Sequence, residues 1–190
     1  MNTTILSTTE SSGSDAEEPG SSTSGDVPPE PGQTRQTAEP ETKIELDAGH
    51  LPVEAVAQLQ EGIRRVIPLL DRTVEEVSIR IVDDREMTNL HARWKDSPVT
   101  TDVVTFDLSD SPSDPLRVDL AICLDEALRQ SESRDHQVED ELLLYVIHGL
   151  LHCCGHDDQD EVSAMAIHAE EDRLLQAIGR EAIYRRGEQS

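Results

Sequence analysis

His148 and His152 stand four residues apart near the end of the most apolar stretch of the chain. On a helix that spacing projects both side chains from one face, one turn apart. Two imidazoles placed in this way can share one metal ion. Gly155 follows three residues after His152 and permits a sharp turn. The chain can then return a third ligand from the loop, ten residues after the first histidine. Histidine pairs at this spacing also recur by chance. Here the pair sits among Leu142, Leu143, Leu144, Val146, Ile147, Leu150 and Leu151, where unpaired polar groups are costly. More histidine and carboxylate follow at once, in His156-Asp157-Asp158. The pattern points to a metal site.

Ligands at offsets 0, 4 and 10, with glycine at 7, resemble the zinc-binding helix of the metzincin proteases. Those proteases carry a glutamate directly after the first histidine as general base. Here that position is Gly149, so a peptidase mechanism of that type lacks its base.

The same residues closely resemble the HGxLHxxGxDH signature of the YbeY endoribonucleases. His148, Gly149, Leu151, His152, Gly155 and Asp157 match it. The run Thr101-Asp102-Val103-Val104-Thr105-Phe106 is similar to the family's TDVLSF strand. Val118-Asp119-Leu120-Ala121-Ile122 is similar to its G(D/E)IxI strand, with Val118 in place of glycine. Glu141, Leu144 and Met165 also stand where the family has them. The resemblance covers about residues 43 to 178. It implies a metal-dependent, single-strand-specific endoribonuclease. The activity would serve maturation of the 16S rRNA 3′ end and ribosome quality control. It also implies one divalent ion, with zinc as the expected metal. Single-stranded rRNA precursors and the ribosome or its small-subunit proteins are the implied partners, in the cytoplasm.

Two departures bear on the site. The family's third histidine falls on Asp158, and its usual aromatic before Asp157 is His156. Aspartate is an acceptable oxygen ligand for zinc. Asp158 keeps the ten-residue offset and is the expected third ligand, with His156 as the alternative. An anionic ligand lowers the net charge of the site and makes a bound water less acidic. The family also has an arginine upstream of the TDV strand. Ungapped alignment puts Lys95 there, and Arg93 lies two residues away. Arg93 is expected to take the phosphate, since guanidinium binds it bidentately, with Lys95 as the alternative. Cys123, Cys153 and Cys154 read as small buried side chains. Asp102 and Asp119 are candidate catalytic carboxylates, though strand-end carboxylates are more often caps or turn formers. His50, His91, His136 and His168 have no organising context.

The elements that must carry these residues follow from periodicity. Lys43 to Leu46 reads as a short strand. Leu51 to Leu70 has helical spacing, with Pro52 near its start. Val74 to Val82 alternates as a strand, and a short helix capped by Asp83 or Asp84 runs to about Trp94. Asp102 to Leu108 and Arg117 to Cys123 read as strands. Leu124 to Ser133, Asp135 to Cys154 and Gln159 to Ile178 read as helices, the second ended by Gly155. The expected fold is a single α/β domain, α+β-like in layout. It has a small mixed sheet of about four strands packed with about five helices, and the metal-binding helix lies near the C-terminal end.

The chain has 190 residues, with 40 Asp plus Glu against 16 Lys plus Arg, for a net charge of -24. Residues 1–40 hold seven acids against Arg35 and little to bury, which predicts a disordered acidic tail. The domain is expected over 41–180, with a C-terminal tail over 181–190. No apolar run approaches the roughly 18 residues of a membrane span, and no basic segment precedes an apolar run as in a signal peptide. Three cysteines do not make a disulfide framework. The charge excludes a general basic coat for nucleic acid. If RNA is the substrate, either the arginines gather in a local groove or a salty interior screens the repulsion. Two rival functions remain open: a metallopeptidase-like hydrolase, and a non-enzymatic ribosome-assembly factor with a structural metal.

Overall fold

The computed structural model describes residues 4–7, 41–95 and 100–184. Five strands form one mixed sheet: β1 (Thr4–Ser7), β2 (Lys43–Asp47), β3 (Val74–Val82), β4 (Val103–Asp107) and β5 (Leu116–Cys123). Their order is β1-β4-β5-β3-β2. The β4 and β5 strands pair antiparallel, and every other pair is parallel. The five helices are α1 (Val53–Val66), α2 (Asp84–Lys95), α3 (Leu124–Arg134), α4 (Val138–Cys153) and α5 (Glu161–Ala177).

The architecture is the expected α/β domain, with four strands where alternation placed them. The fifth, β1, falls inside the segment that composition marked as a tail. Its backbone pairs in parallel with β4. The rest of 1–40 lies outside the described residues, as do 96–99 and 185–190. The long helical run to Leu70 ends early as well. Pro68 has no N–H to donate, and the chain tightens into a single 3-10 turn at Ile67–Leu69.

Alternation along the strands divides the core. Val77, Ile79, Val103, Leu120 and Ile122 face a large cluster shared with α1, α4 and α5. Val82, Val104, Ala121 and Cys123 face the other way, onto Met87 and Leu90 of α2. So α4 and α2 lie on opposite faces of the sheet. From Glu141 through Cys153 every residue of α4 is buried. A helix apolar nearly all round belongs inside a core. Each Leu buried there contributes roughly 1.5–3 kcal/mol in transfer free energy.

Asp84 ties α2 to α3 and to the start of β4. It accepts from the Arg129 guanidinium at 2.7 and 2.8 Å, from the Cys123 thiol at 3.2 Å and from the Thr100 hydroxyl at 3.3 Å. The Arg129 guanidinium is the main reason the Asp84 carboxyl is held down to about 2. A carboxyl depressed on folding stabilises the fold above its unfolded pKa. That contribution is lost as pH falls from about 4 through about 2. In acid unfolding followed by circular dichroism, Asp84→Asn should therefore show a shallower loss of stability across this window. A variant as steep as wild type there would show that the pair contributes nothing.

Candidate metal centre

The end of α4 is built to return the chain over its own last turn. Gly155 has φ +97°, a conformation open to glycine. Gly155 N donates to His152 O at 2.9 Å, and His156 N donates to Leu151 O at 3.1 Å. These two bonds form a Schellman motif, and they satisfy carbonyls that the helix end would otherwise leave unpaired. Asp160 then starts α5, accepting from Val162 N and Ser163 N at 2.9 and 3.0 Å. The loop between the two caps carries Asp158 back to the histidines.

His148 and His152 approach with their Nε2 atoms 3.1 Å apart and their rings edge to face. Asp158 Oδ2 lies 3.8 Å from His148 Nε2 and 3.9 Å from His152 Nε2. One donor atom from each of the three residues falls within a 4.8 Å sphere of separations. His148 is fully buried, and Asp158 forms the partly open side.

The opposite nitrogens fix the chemistry of this cluster. His152 Nδ1 faces the His156 backbone carbonyl at 2.9 Å, and a carbonyl only accepts. His152 Nδ1 therefore carries the proton. His148 Nδ1 faces Glu171 Oε1 at 2.5 Å and is the donor to that carboxylate. Burial, then the neighbouring His148, pushes His152 below the usual imidazole range, which favours its neutral form. A neutral ring protonated at Nδ1 has a bare lone pair at Nε2. Two such lone pairs and a carboxylate oxygen meet at one point, an arrangement that a cation relieves. Ligand atoms around a tetrahedral zinc sit about 3.3 Å apart, close to the separations seen here. The donor set fits a single divalent ion.

His156 contributes its backbone carbonyl, and its imidazole is not part of the cluster. Glu171 is the partner that spacing did not reveal. It is fully buried on α5, and burial pushes its carboxyl pKa up against the lowering effect of His148. A signal was present: Ile167, Glu171, Leu174 and Ile178 form one helical stripe, with a single acid among apolar residues. Carboxylate partners of this kind orient metal-binding histidines.

Gly149 faces away from the cluster, into the sheet. A Cβ there would lie 2.7 Å from Leu120 Cδ2 and 2.7 Å from Thr105 Oγ1. The place of the protease base is therefore taken up by helix–sheet packing. Arg93 is exposed on α2, beside Arg80, Glu86, Asn89 and Leu90. That is the face of the sheet opposite α4, and among the described residues Arg93 does not meet the three. The side chain of Lys95 lies outside the described residues. Cys153 is buried and Cys154 half-buried, and burial pushes the Cys153 thiol up to about 12, so it is inert.

The family model described as Endoribonuclease YbeY matches residues 42–179. The chain belongs to that family. An Endoribonuclease YbeY of Renibacterium salmoninarum is 37% identical over 146 residues, covering 70% of this chain and 88% of the relative. One from Macrococcus caseolyticus is 33% identical over 146 residues, covering 71% and 90%. One from an Anaeromyxobacter strain is 35% identical over 126 residues, covering 66% of each. The solution structure of TM1509 from Thermotoga maritima superposes with a TM-score of 0.52 at 19% identity, over 71% of this chain and 88% of that one. That likeness shows a shared fold. Where the YbeY signature has its third histidine, this chain carries Asp158. Among the described residues, no helix is long and apolar enough to cross a membrane.

Proposed function

We propose that this chain is a metal-dependent, single-strand-specific endoribonuclease that matures rRNA precursors on the cytoplasmic ribosome. The observation that carries this reading is the convergence of the two Nε2 atoms and one carboxylate oxygen in a YbeY-family chain. His148, His152 and Asp158 hold one divalent ion, with zinc as the expected metal. Three protein ligands would leave a bound zinc room for a water or a substrate oxygen, as in catalytic rather than structural sites. When bound, the ion supplies a Lewis acid for a phosphoryl oxygen and acidifies a water. Glu171 and the His156 carbonyl hold the two imidazoles in the ligating tautomer. Arg93 lies on the far face of the sheet, so its guanidinium would meet an RNA phosphate away from the metal ligands rather than the scissile one. The domain centres on 41–180, with Thr4–Ser7 added at the edge of the sheet and Ile183 packed into the core.

The peptidase reading is opposed by Gly149, whose side-chain position points into the sheet. Supplying the purified protein with single-stranded RNA, duplex RNA and casein, with and without chelator, separates the readings. Metal-dependent cutting of single strands, with duplex and casein intact, is the expected result. Proteolysis with intact RNA would sink the nuclease reading. Arg72, Arg80, Arg129, Arg134, Arg173 and Arg180 are each paired with an acid, so they do not form a free basic groove. In the same assay RNA affinity should rise from low to moderate salt, as screening relieves long-range repulsion. A steep fall with salt would show a basic groove instead.

A further inference from the structure

A cleft of about 200 Å³ lies beside α4, between Asp102 at the start of β4, Glu126, Gln130 and Arg134 of α3, and Glu141 and Tyr145 of α4 itself. Glu141, Tyr145, His148 and His152 follow one another at helical spacing, so the cleft and the histidine cluster share one stripe of α4. From Tyr145 to His148 the helix rises only about 4.5 Å.

Most polar groups of the cleft are engaged with one another. Arg134 donates to Glu141 at 3.1 and 3.3 Å, and His136 Nε2 lies 2.6 Å from the same carboxylate. Gln130 donates to one oxygen of Glu126 at 2.7 Å, and Arg129 meets the other at 2.7 Å. Asp102 and Tyr145 keep capacity. Asp102 Oδ1 accepts from Thr101 Oγ1 at 3.0 Å and from Val103 N at 2.9 Å, two of the roughly four bonds a carboxylate accepts. Tyr145 is 1% exposed, and among the described residues its hydroxyl has no hydrogen-bond partner. Burial, then the charges of Glu141 and Asp102, push the phenol up, so it keeps its proton and can donate. A buried hydroxyl without a partner costs stability, and a ligand that accepts from it recovers that cost.

Three carboxylates against one guanidinium oppose a phosphate in this cleft. A neutral group that donates beside an acceptor suits it. The pairing edges of cytosine and adenine have that pattern, an amino group next to a bare ring nitrogen. Uracil and guanine reverse it, with a carbonyl next to a ring N–H. We propose that the cleft is a nucleobase site for the RNA strand. Asp102 accepts from the amino group of a cytosine or adenine, and Tyr145 donates to the adjacent ring nitrogen. This rests on the nuclease reading and adds a base preference to it. A base enters only when its edge is unpaired, which gives single-strand selectivity a physical cause.

The test uses the full, zinc-loaded chain. It has two tyrosines, so 3-fluorotyrosine labelling yields two fluorine-19 NMR signals, assigned with Tyr184→Phe. Cytidine, adenosine and uridine hold no phosphodiester to cut. The Tyr145 signal should follow cytidine and adenosine at concentrations about tenfold below those needed with uridine, within the range a base-edge pair discriminates. Asp102→Asn keeps an oxygen for Val103 N and presents an amide donor, so the order should turn toward uridine. In digests of a mixed-sequence single strand, cuts should fall at a fixed offset from C or A. Tyr145→Phe should lose that pattern, with zinc content and thermal midpoint near those of wild type. A Tyr145 signal indifferent to all three nucleosides, or following uridine as readily as cytidine, would overturn the proposal. So would cuts indifferent to base. A signal moved by a lysine peptide and not by nucleosides would also overturn it, because a protein side chain would then be the occupant. A protein that leaves RNA intact while its Tyr145 still follows cytidine would overturn the nuclease reading and leave the base site standing.

Discussion

Asp158→Ala should lose metal and cleavage together, each by about 100-fold or more, while the protein stays folded. Asp158 is the single anionic donor of the cluster, and it sits on a loop outside the hydrophobic core. Its removal leaves two imidazoles on one face of α4. A two-ligand site holds zinc far less tightly than the three-ligand set of catalytic centres. His156→Ala supplies the contrast. The contribution of His156 is its backbone carbonyl, 2.9 Å from His152 Nδ1, and alanine keeps that carbonyl. Metal content of the two purified variants beside wild type decides the matter. Retention of full metal by Asp158→Ala would show that the third ligand lies elsewhere. Asp158→His adds a further check. It restores a neutral third donor and leaves the site one charge more positive, so the cleavage profile should move to lower pH.

Gly149→Glu should yield a misfolded chain rather than a peptidase. Sequence logic invites this change, because it restores the base of the protease helix. The structure shows why it fails. A Cβ alone would meet Leu120 Cδ2 and Thr105 Oγ1 at 2.7 Å, and a buried carboxylate would follow it into the sheet. Even Gly149→Ala should cost about 1–3 kcal/mol through overpacking, read from urea or thermal unfolding. A gain in helix propensity of under about 1 kcal/mol offsets only part of that. Unchanged stability in Gly149→Ala would show that α4 does not press on the sheet this closely. A folded Gly149→Glu protein that cuts casein would show that the position faces the metal.

The site divides between what neighbours along the chain encode and what they do not. The spacing of His148 and His152, the turn at Gly155 and the ten-residue reach to Asp158 are all local. Helix periodicity and a positive-φ glycine determine them, whatever the rest of the molecule does. The same holds for β3, β5 and α4, whose burial follows from alternation or from an unbroken apolar run. Pro68 is an exception of reading: a local breaker inside a helical pattern, visible and outweighed by the apolar period around it.

Other features depend on partners that periodicity does not name. Glu171 lies 23 residues from His148, and its pairing exists because α5 packs along α4. Tyr184 stacks on His168 because Asp172 anchors the returning chain. Thr4–Ser7 is four residues in a polar segment, and an edge pairing with β4 makes it a strand. Arg93 keeps its place in the sequence, yet the crossing of α2 to the far face separates it from α4. By itself, then, the sequence determined α4, its two clustered imidazoles and the loop carboxylate, because backbone geometry within one or two turns requires no distant partner. The tertiary structure alone decided which nitrogen of each imidazole faces Asp158. Those tautomers depend on acceptors brought from the following loop and from another helix, and only the folded chain places them there.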